Sequence, residues 1–127
     1  MPETRKRILL VDDEEELLRM LRIFLKSENF DVFIAHDGRE AMELLPETKP
    51  DLVITDLEMP DVHGIMLVSA LKKHAQGQRI PVMVMTSHTE VDNVLDCVEA
   101  GADDFVSKPI KLNDLKTRIA LLLKKYT

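Results

Sequence analysis

Leu52-Val53-Ile54-Thr55-Asp56 sets three consecutive apolar side chains directly before a threonine and an aspartate. A strand with one wet face alternates apolar and polar residues, whereas a strand buried on both faces of a parallel sheet is apolar throughout. The segment therefore reads as a central strand that ends in a carboxylate. Four further apolar runs punctuate the chain: Ile8-Leu9-Leu10-Val11, Val32-Phe33-Ile34-Ala35, Val82-Met83-Val84-Met85 and Phe105-Val106. The last is short and flanked by Asp103, Asp104 and Ser107, which suits a sheet edge.

Helical stripes of period 3.6 lie between and after these runs. The first comprises Leu17, Leu18, Leu21, Phe24 and Leu25, opened by Glu14-Glu15-Glu16, acids that suit a helix N-terminus. Ala41, Leu44 and Leu45 mark the second, with Pro46 expected to stop it. Ile65, Leu67, Val68 and Leu71 mark the third, after Gly64. Val91, Val94, Leu95 and Val98 are expected to form the buried stripe of the fourth, with Gly101 as its C′ residue. Leu112, Leu115, Ile119 and Leu122 mark the fifth, with Asn113 available as an N-cap. Regular βα alternation implies right-handed crossovers, a mainly parallel sheet and helices on both of its faces.

The bulk composition agrees with one globular domain. The chain has 127 residues, 45% apolar and 31% charged, and folding should bury roughly two-thirds of its surface. A net charge of −6 argues against duplex DNA as a direct partner, since phosphate binding requires a basic face. Cys97 is the single cysteine, so no internal disulfide can form, and a structural thiol is the simpler reading than a redox sensor. No apolar stretch approaches the twenty or so residues of a membrane span, and the N-terminal run is too short for a secretory signal. A soluble, cytoplasmic protein is expected. No output domain is expected after the fifth helix, which is followed by Lys124-Lys125-Tyr126-Thr127, and a stand-alone regulator and one domain of a longer protein both stay open.

In a doubly wound sheet, ligands bind beyond the carboxyl ends of the strands, where the strand order reverses. The residues there are Asp12-Asp13 after the first strand, Asp56 after the third, Thr86-Ser87 after the fourth and Lys108-Pro109 after the fifth. Three carboxylates brought together resist ionising without a compensating charge. Hard oxygen donors in a small array suit Mg²⁺; Ca²⁺ is the poorer fit because no loop offers closely spaced oxygens. A carboxylate can also act as nucleophile and accept a phosphoryl group as an acyl phosphate. A metal, a lysine and a hydroxyl would then neutralise the developing charge, roles open to Mg²⁺, Lys108 and Thr86.

Over nearly its whole length the sequence resembles the receiver domains of two-component response regulators. The resemblance rests on Ile8 to Asp13, Val53 to Pro60, Gly64, Pro81 to Thr86 and Ala100 to Pro109. It implies a (βα)5 flavodoxin-like three-layer sandwich with five parallel strands in the order 2-1-3-4-5. It implies Asp56 as phosphoacceptor, with Asp13, Asp56 and the Glu58 backbone carbonyl as direct Mg²⁺ ligands and Asp12 acting through a metal-bound water. Thr86 corresponds to the family's hydroxyl switch, Phe105 to its switching aromatic and Lys108 to its phosphate partner. The Lys108–Pro109 bond is implied to be cis, which turns Lys108 back over the site.

A sensor histidine kinase or a histidine phosphotransfer protein is the implied donor. The face built by the fourth helix, fifth strand and fifth helix is the implied surface for a downstream protein or a homodimer. Leu121-Leu122-Leu123 supports this, since one stripe cannot bury all three and Leu121 is expected to face outward.

Departures from the family pattern are few. His63 stands where an acid or amide is usual, and Phe105 lacks a tyrosine hydroxyl. Glu58 and His88 occupy positions that tune phosphoryl lifetime in the family. The four histidines, His36, His63, His74 and His88, share no ligand spacing and read as solvent-facing. A haloacid-dehalogenase-like phosphohydrolase is the rival reading, but its nucleophile belongs on the first strand and it needs a cap. A pseudo-receiver scaffold would be expected to lack an acid or the lysine. A flavodoxin would carry a hydroxyl-rich loop where this chain has Asp12-Asp13. The chain is therefore expected to be no enzyme, beyond acting on its own phosphoryl group.

Overall fold

The computed structural model describes residues 5–57, 64–73, 80–87 and 91–126. Five strands, β1 (Arg7–Val11), β2 (Asp31–Ala35), β3 (Leu52–Asp56), β4 (Val82–Thr86) and β5 (Asp104–Ser107), alternate with five helices. The helices are α1 (Glu15–Ser27), α2 (Gly38–Thr48), α3 (Gly64–Lys73), α4 (Val91–Ala100) and α5 (Leu112–Lys125). The strands form one sheet in the order β2-β1-β3-β4-β5, and every pairing is parallel.

Side-chain alternation divides the core into two layers. Ile8, Leu10, Leu52, Ile54, Met83 and Met85 pack against Leu18, Leu21 and Leu25 of α1 and Leu115, Ile119 and Leu122 of α5. The intervening residues Leu9, Val11, Val53, Val82 and Val84 pack against α2, α3 and α4 on the other side. The result is a three-layer sandwich. β3 and β4 are buried along their whole length, as consecutive apolar residues require, whereas β2 at one edge is only partly covered.

Three local expectations need correction. Pro46 does not stop α2, which runs on to Thr48. A proline in the last turn removes one donor only, and Thr48 Oγ1 donates to the Leu44 carbonyl at 2.8 Å while Lys49 N donates to that of Leu45 at 3.1 Å. The helix ends because Lys49 turns left-handed (φ 47°) before Pro50. Asn113 is not the cap of α5: Lys111 holds that position, without a side-chain cap bond, and Asn113 lies inside the first turn.

The phase of α4 also differs. Leu95 and Val98 are 54% and 61% exposed, while Cys97 is buried against the α2–α3 layer and Val94 is half-buried. The Val91 side chain lies outside the described part. Gly101 does end α4 as a Schellman turn: at φ 111°, its N–H meets the Val98 carbonyl and that of Ala102 meets Cys97.

Candidate functional site

The strand order reverses between β1 and β3, and register fixes what meets there. Val11 pairs with Thr55, so Asp12 stands level with Asp56; Asp56 pairs with Met85, so Thr86 lies one step beyond it. Thr86 pairs with Ser107, and Lys108 follows immediately. A hydrogen bond from Lys108 N to the Thr86 carbonyl, 2.8 Å, ties the last two strand ends together. The Lys108–Pro109 peptide bond is cis.

Carboxylate oxygens of Asp12, Asp13 and Asp56 all lie within 4.8 Å of one another. Asp12 is fully buried and Asp56 nearly so, whereas Asp13 faces solvent. Asp12 accepts from the Glu14 backbone N–H (2.9 Å) and from Lys108 Nζ (3.0 Å), and Asp56 Oδ1 accepts from the Leu57 N–H (2.8 Å). Lys108 Nζ also donates to Glu14 Oε2 at 3.1 Å and stands 3.6 Å from Asp56 Oδ2.

Burial pushes the Asp12 carboxyl above its ordinary range, and the bonds from Glu14 N–H and Lys108 offset this only in part. Burial alone would lower Lys108; its bonds to Asp12 and Glu14, with the charges of Asp12 and Asp56, outweigh that and raise it. It is held as a cation. Among the described residues, one ammonium stands against Asp12, Asp13, Asp56 and Glu14, an anionic balance. A divalent cation with hard oxygen preference fits that donor set, and Asp12, Asp13 and Asp56 are the side chains placed to hold it.

Thr86 is buried at the end of β4. Phe105 is half-buried, sits beside Val84 in register and packs on the α2–α3–α4 layer. Glu58 and His88 lie outside the described residues, as do His63 and His74. His36 is exposed, with Nε2 2.9 Å from Glu15 and Nδ1 3.3 Å from Glu40.

Glu14 was legible only as a helix-start acid, and its reach to a residue 94 positions away carries no local signal. A second polar cluster also had none. At the opposite end of the sheet Lys72 bonds Asp103 (2.7 Å) and the Ile80 carbonyl (2.7 Å). Asp103 accepts there from Val82 N at 2.8 Å and from the Tyr126 hydroxyl.

Comparison with known proteins places this arrangement. The family model described as the response regulator receiver domain matches residues 8–120. The chain belongs to that family. It is 37% identical over 125 residues to the DNA-binding response regulator MtrA of Mycolicibacterium smegmatis, covering 98% of this chain and 54% of that protein. It is 38% identical to the transcriptional regulatory protein PrrA of Mycobacterium leprae, covering 94% and 50%. The chain thus spans about half the length of the curated relatives it matches.

Among solved structures, a CheY-like receiver domain protein from Methanospirillum hungatei superposes with a TM-score of 0.91 at 27% identity, over 97% of both chains. The chemotaxis response regulator CheY4 of Vibrio cholerae gives 0.89 at 26%, over 94% of this chain and 99% of its own. The fold is the flavodoxin-like arrangement of these receivers. No helix among the described residues is long and apolar enough to cross a membrane.

Proposed function

We propose that the chain, read as a single receiver domain over residues 1–127 with its core at about 6–125, is a cytoplasmic phosphorylation switch whose acceptor is Asp56. The observation that carries this reading is the convergence of Asp12, Asp13 and Asp56 within 4.8 Å, with Lys108 Nζ 3.6 Å from Asp56. An Asp56 carboxylate oxygen attacks the phosphorus of a phosphohistidine on a sensor histidine kinase or a phosphotransfer protein. The phosphorus–nitrogen bond breaks, and the carboxylate becomes an acyl phosphate. Water later attacks the phosphorus and restores Asp56.

Asp12, Asp13, Asp56 and the Glu58 backbone carbonyl would hold Mg²⁺, which when bound supplies positive charge opposite the phosphoryl oxygens. Lys108 supplies the second cation at the same oxygens. Thr86 then bonds a phosphoryl oxygen, and Phe105 fills the space it leaves. These two changes bias α4, β5 and α5 between two arrangements. Glu58 and His88 set how long the acyl phosphate lasts.

The output partner, or a second copy, docks on that face. Its apolar content supports the reading: Leu95 and Val98 of α4 and Leu121 of α5 all project from the surface. The domain itself makes no DNA contact in this scheme, and it acts on no substrate other than its own phosphoryl group.

Incubation with Mg²⁺ and a small acyl-phosphate donor should add one phosphate mass, lost in Asp56→Asn. No mass gain with any donor, or a gain that survives Asp56→Asn, rejects the reading. Phosphate release in large excess over protein from a generic ester would favour a phosphohydrolase instead.

A further inference from the structure

Glu14 occupies the N-cap position of α1 with extended backbone (φ −86°, ψ 101°), yet its side chain makes no cap hydrogen bond. Its carboxylate crosses instead to Lys108 Nζ at 3.1 Å, and its backbone N–H donates to Asp12 Oδ1 at 2.9 Å. The residue is therefore tied twice to the Asp12–Lys108 pair, once to the acid and once to the base. The lysine sits at hydrogen-bond distance from Asp12 and Glu14, both on the β1–α1 side of the pocket. It stands 3.6 Å from Asp56 Oδ2, an ion-pair separation longer than an N–H···O bond.

We propose that Glu14 is a positioning residue for phosphoryl uptake: its carboxylate holds Lys108 toward α1, off Asp56, in the unphosphorylated protein. This rests on Asp56 being the acceptor. Two effects of the Glu14 carboxylate act in the same direction. The ammonium must loosen its bond to Glu14 to follow a phosphoryl group arriving on Asp56. The carboxylate also adds one negative charge beside a pocket that an anionic donor must enter. Glu14 is largely exposed, so the tether is weak enough to be broken on each cycle. Glu14 touches neither Asp13 nor Asp56 through any contact described, so it acts through the lysine.

The test compares initial rates of Asp56 phosphorylation by a small acyl phosphate at saturating Mg²⁺, read by intact mass. Glu14→Gln should react about fivefold faster, the scale of one exposed charge-assisted bond. Glu16→Gln, which removes an equal charge two residues along in the first turn of α1, should stay within about twofold of the native rate. In a Lys108→Met background the Glu14→Gln acceleration should fall to the less than about twofold that loss of one exposed charge gives, because the tether has nothing to hold. A Mg²⁺ titration followed by NMR shifts should give Glu14→Gln the native affinity within about twofold, since its carboxylate is outside the Asp12–Asp13–Asp56 set.

An unchanged or slower Glu14→Gln rate overturns the proposal. So does an equal acceleration in Glu16→Gln, an acceleration that survives in full without Lys108, or a shifted Mg²⁺ affinity. A native protein that takes up no phosphate rejects the acceptor reading and this proposal together. A native protein that does so while the variants behave alike rejects the tether alone.

Discussion

Asp12 and Asp56 are buried carboxylates that share the Lys108 ammonium with the exposed Glu14, and the exposed Asp13 adds a further carboxylate beside them. Like charges at this separation oppose one another, so in the absence of a cation the pocket costs the fold stability. Asp56→Asn should therefore stabilise the protein in EDTA by about 1 kcal/mol, seen as a higher urea midpoint with an unchanged slope. Saturating Mg²⁺ should stabilise the native protein by about 2.7 kcal/mol at a hundredfold excess over its dissociation constant, and Asp56→Asn by much less. A destabilised Asp56→Asn, or equal Mg²⁺ effects on both, would contradict a cation-balanced acid cluster. The residues of this cluster were legible because each one ends a strand, and a parallel sheet gathers strand ends at one edge. Glu14 was not, since nothing in Asp13-Glu14-Glu15 separates a carboxylate that crosses to Lys108 from one that faces water.

At the level of single elements, α4 is where pattern reading failed. Val94, Leu95 and Val98 make a plausible apolar stripe, but Cys97 is the residue the core accepts. The helix is rotated from the expected phase, and Leu95 and Val98 face the surface. Cys97→Ser should accordingly cost about 1–2 kcal/mol in urea unfolding, by burying a hydroxyl in an apolar layer, with Leu95→Ala and Val98→Ala within about 0.5 kcal/mol. The reverse ranking would restore the stripe read from sequence. Burial and the charge of Asp96 also push the Cys97 thiol up, which keeps it inert. The end of α5 is likewise fixed by contacts no pattern reveals. The Tyr126 hydroxyl donates to Asp103, and Lys72 Nζ lies 5.5 Å from the Tyr126 ring centre. The bond to Asp103, with burial, pushes the phenol from 10.0 up to about 12. A raised folded-state value means the contribution is complete below pH 10 and is lost as pH climbs from 10 to about 12. The alkaline loss of stability over that interval should be smaller in Tyr126→Phe, as thermal melts at stepped pH would register. Identical slopes would show that the hydroxyl contributes nothing there.

The whole molecule is a rigid centre with softer flanks. β3 and β4 are buried throughout, β1 is buried from Ile8 to Val11, and all three lie between two apolar layers. β5 has four residues at the sheet edge, only Val106 of them fully buried, and the α4 that precedes it exposes Leu95 and Val98. Local opening should follow that gradient, because the free energy of exposing a segment tracks the apolar surface that covers it. Amides of Leu9, Leu10, Val53, Ile54, Met83 and Val84 should exchange only through global unfolding. Those of β5 and α4 should exchange through smaller openings, at rates faster by about tenfold for each 1.4 kcal/mol of difference. The site spans both regimes: Asp12 and Asp56 end central strands, whereas Lys108 follows the edge strand and reaches back to them. A phosphoryl group on Asp56 that recruits Lys108 and Thr86 would thus tie the soft edge to the rigid centre. Hydrogen exchange followed by mass spectrometry should show its largest protection change on phosphorylation in peptides covering 91–107, with β1 and β3 unmoved. A change spread evenly over all five strands would mean that phosphorylation acts on global stability and not on the α4–β5 edge.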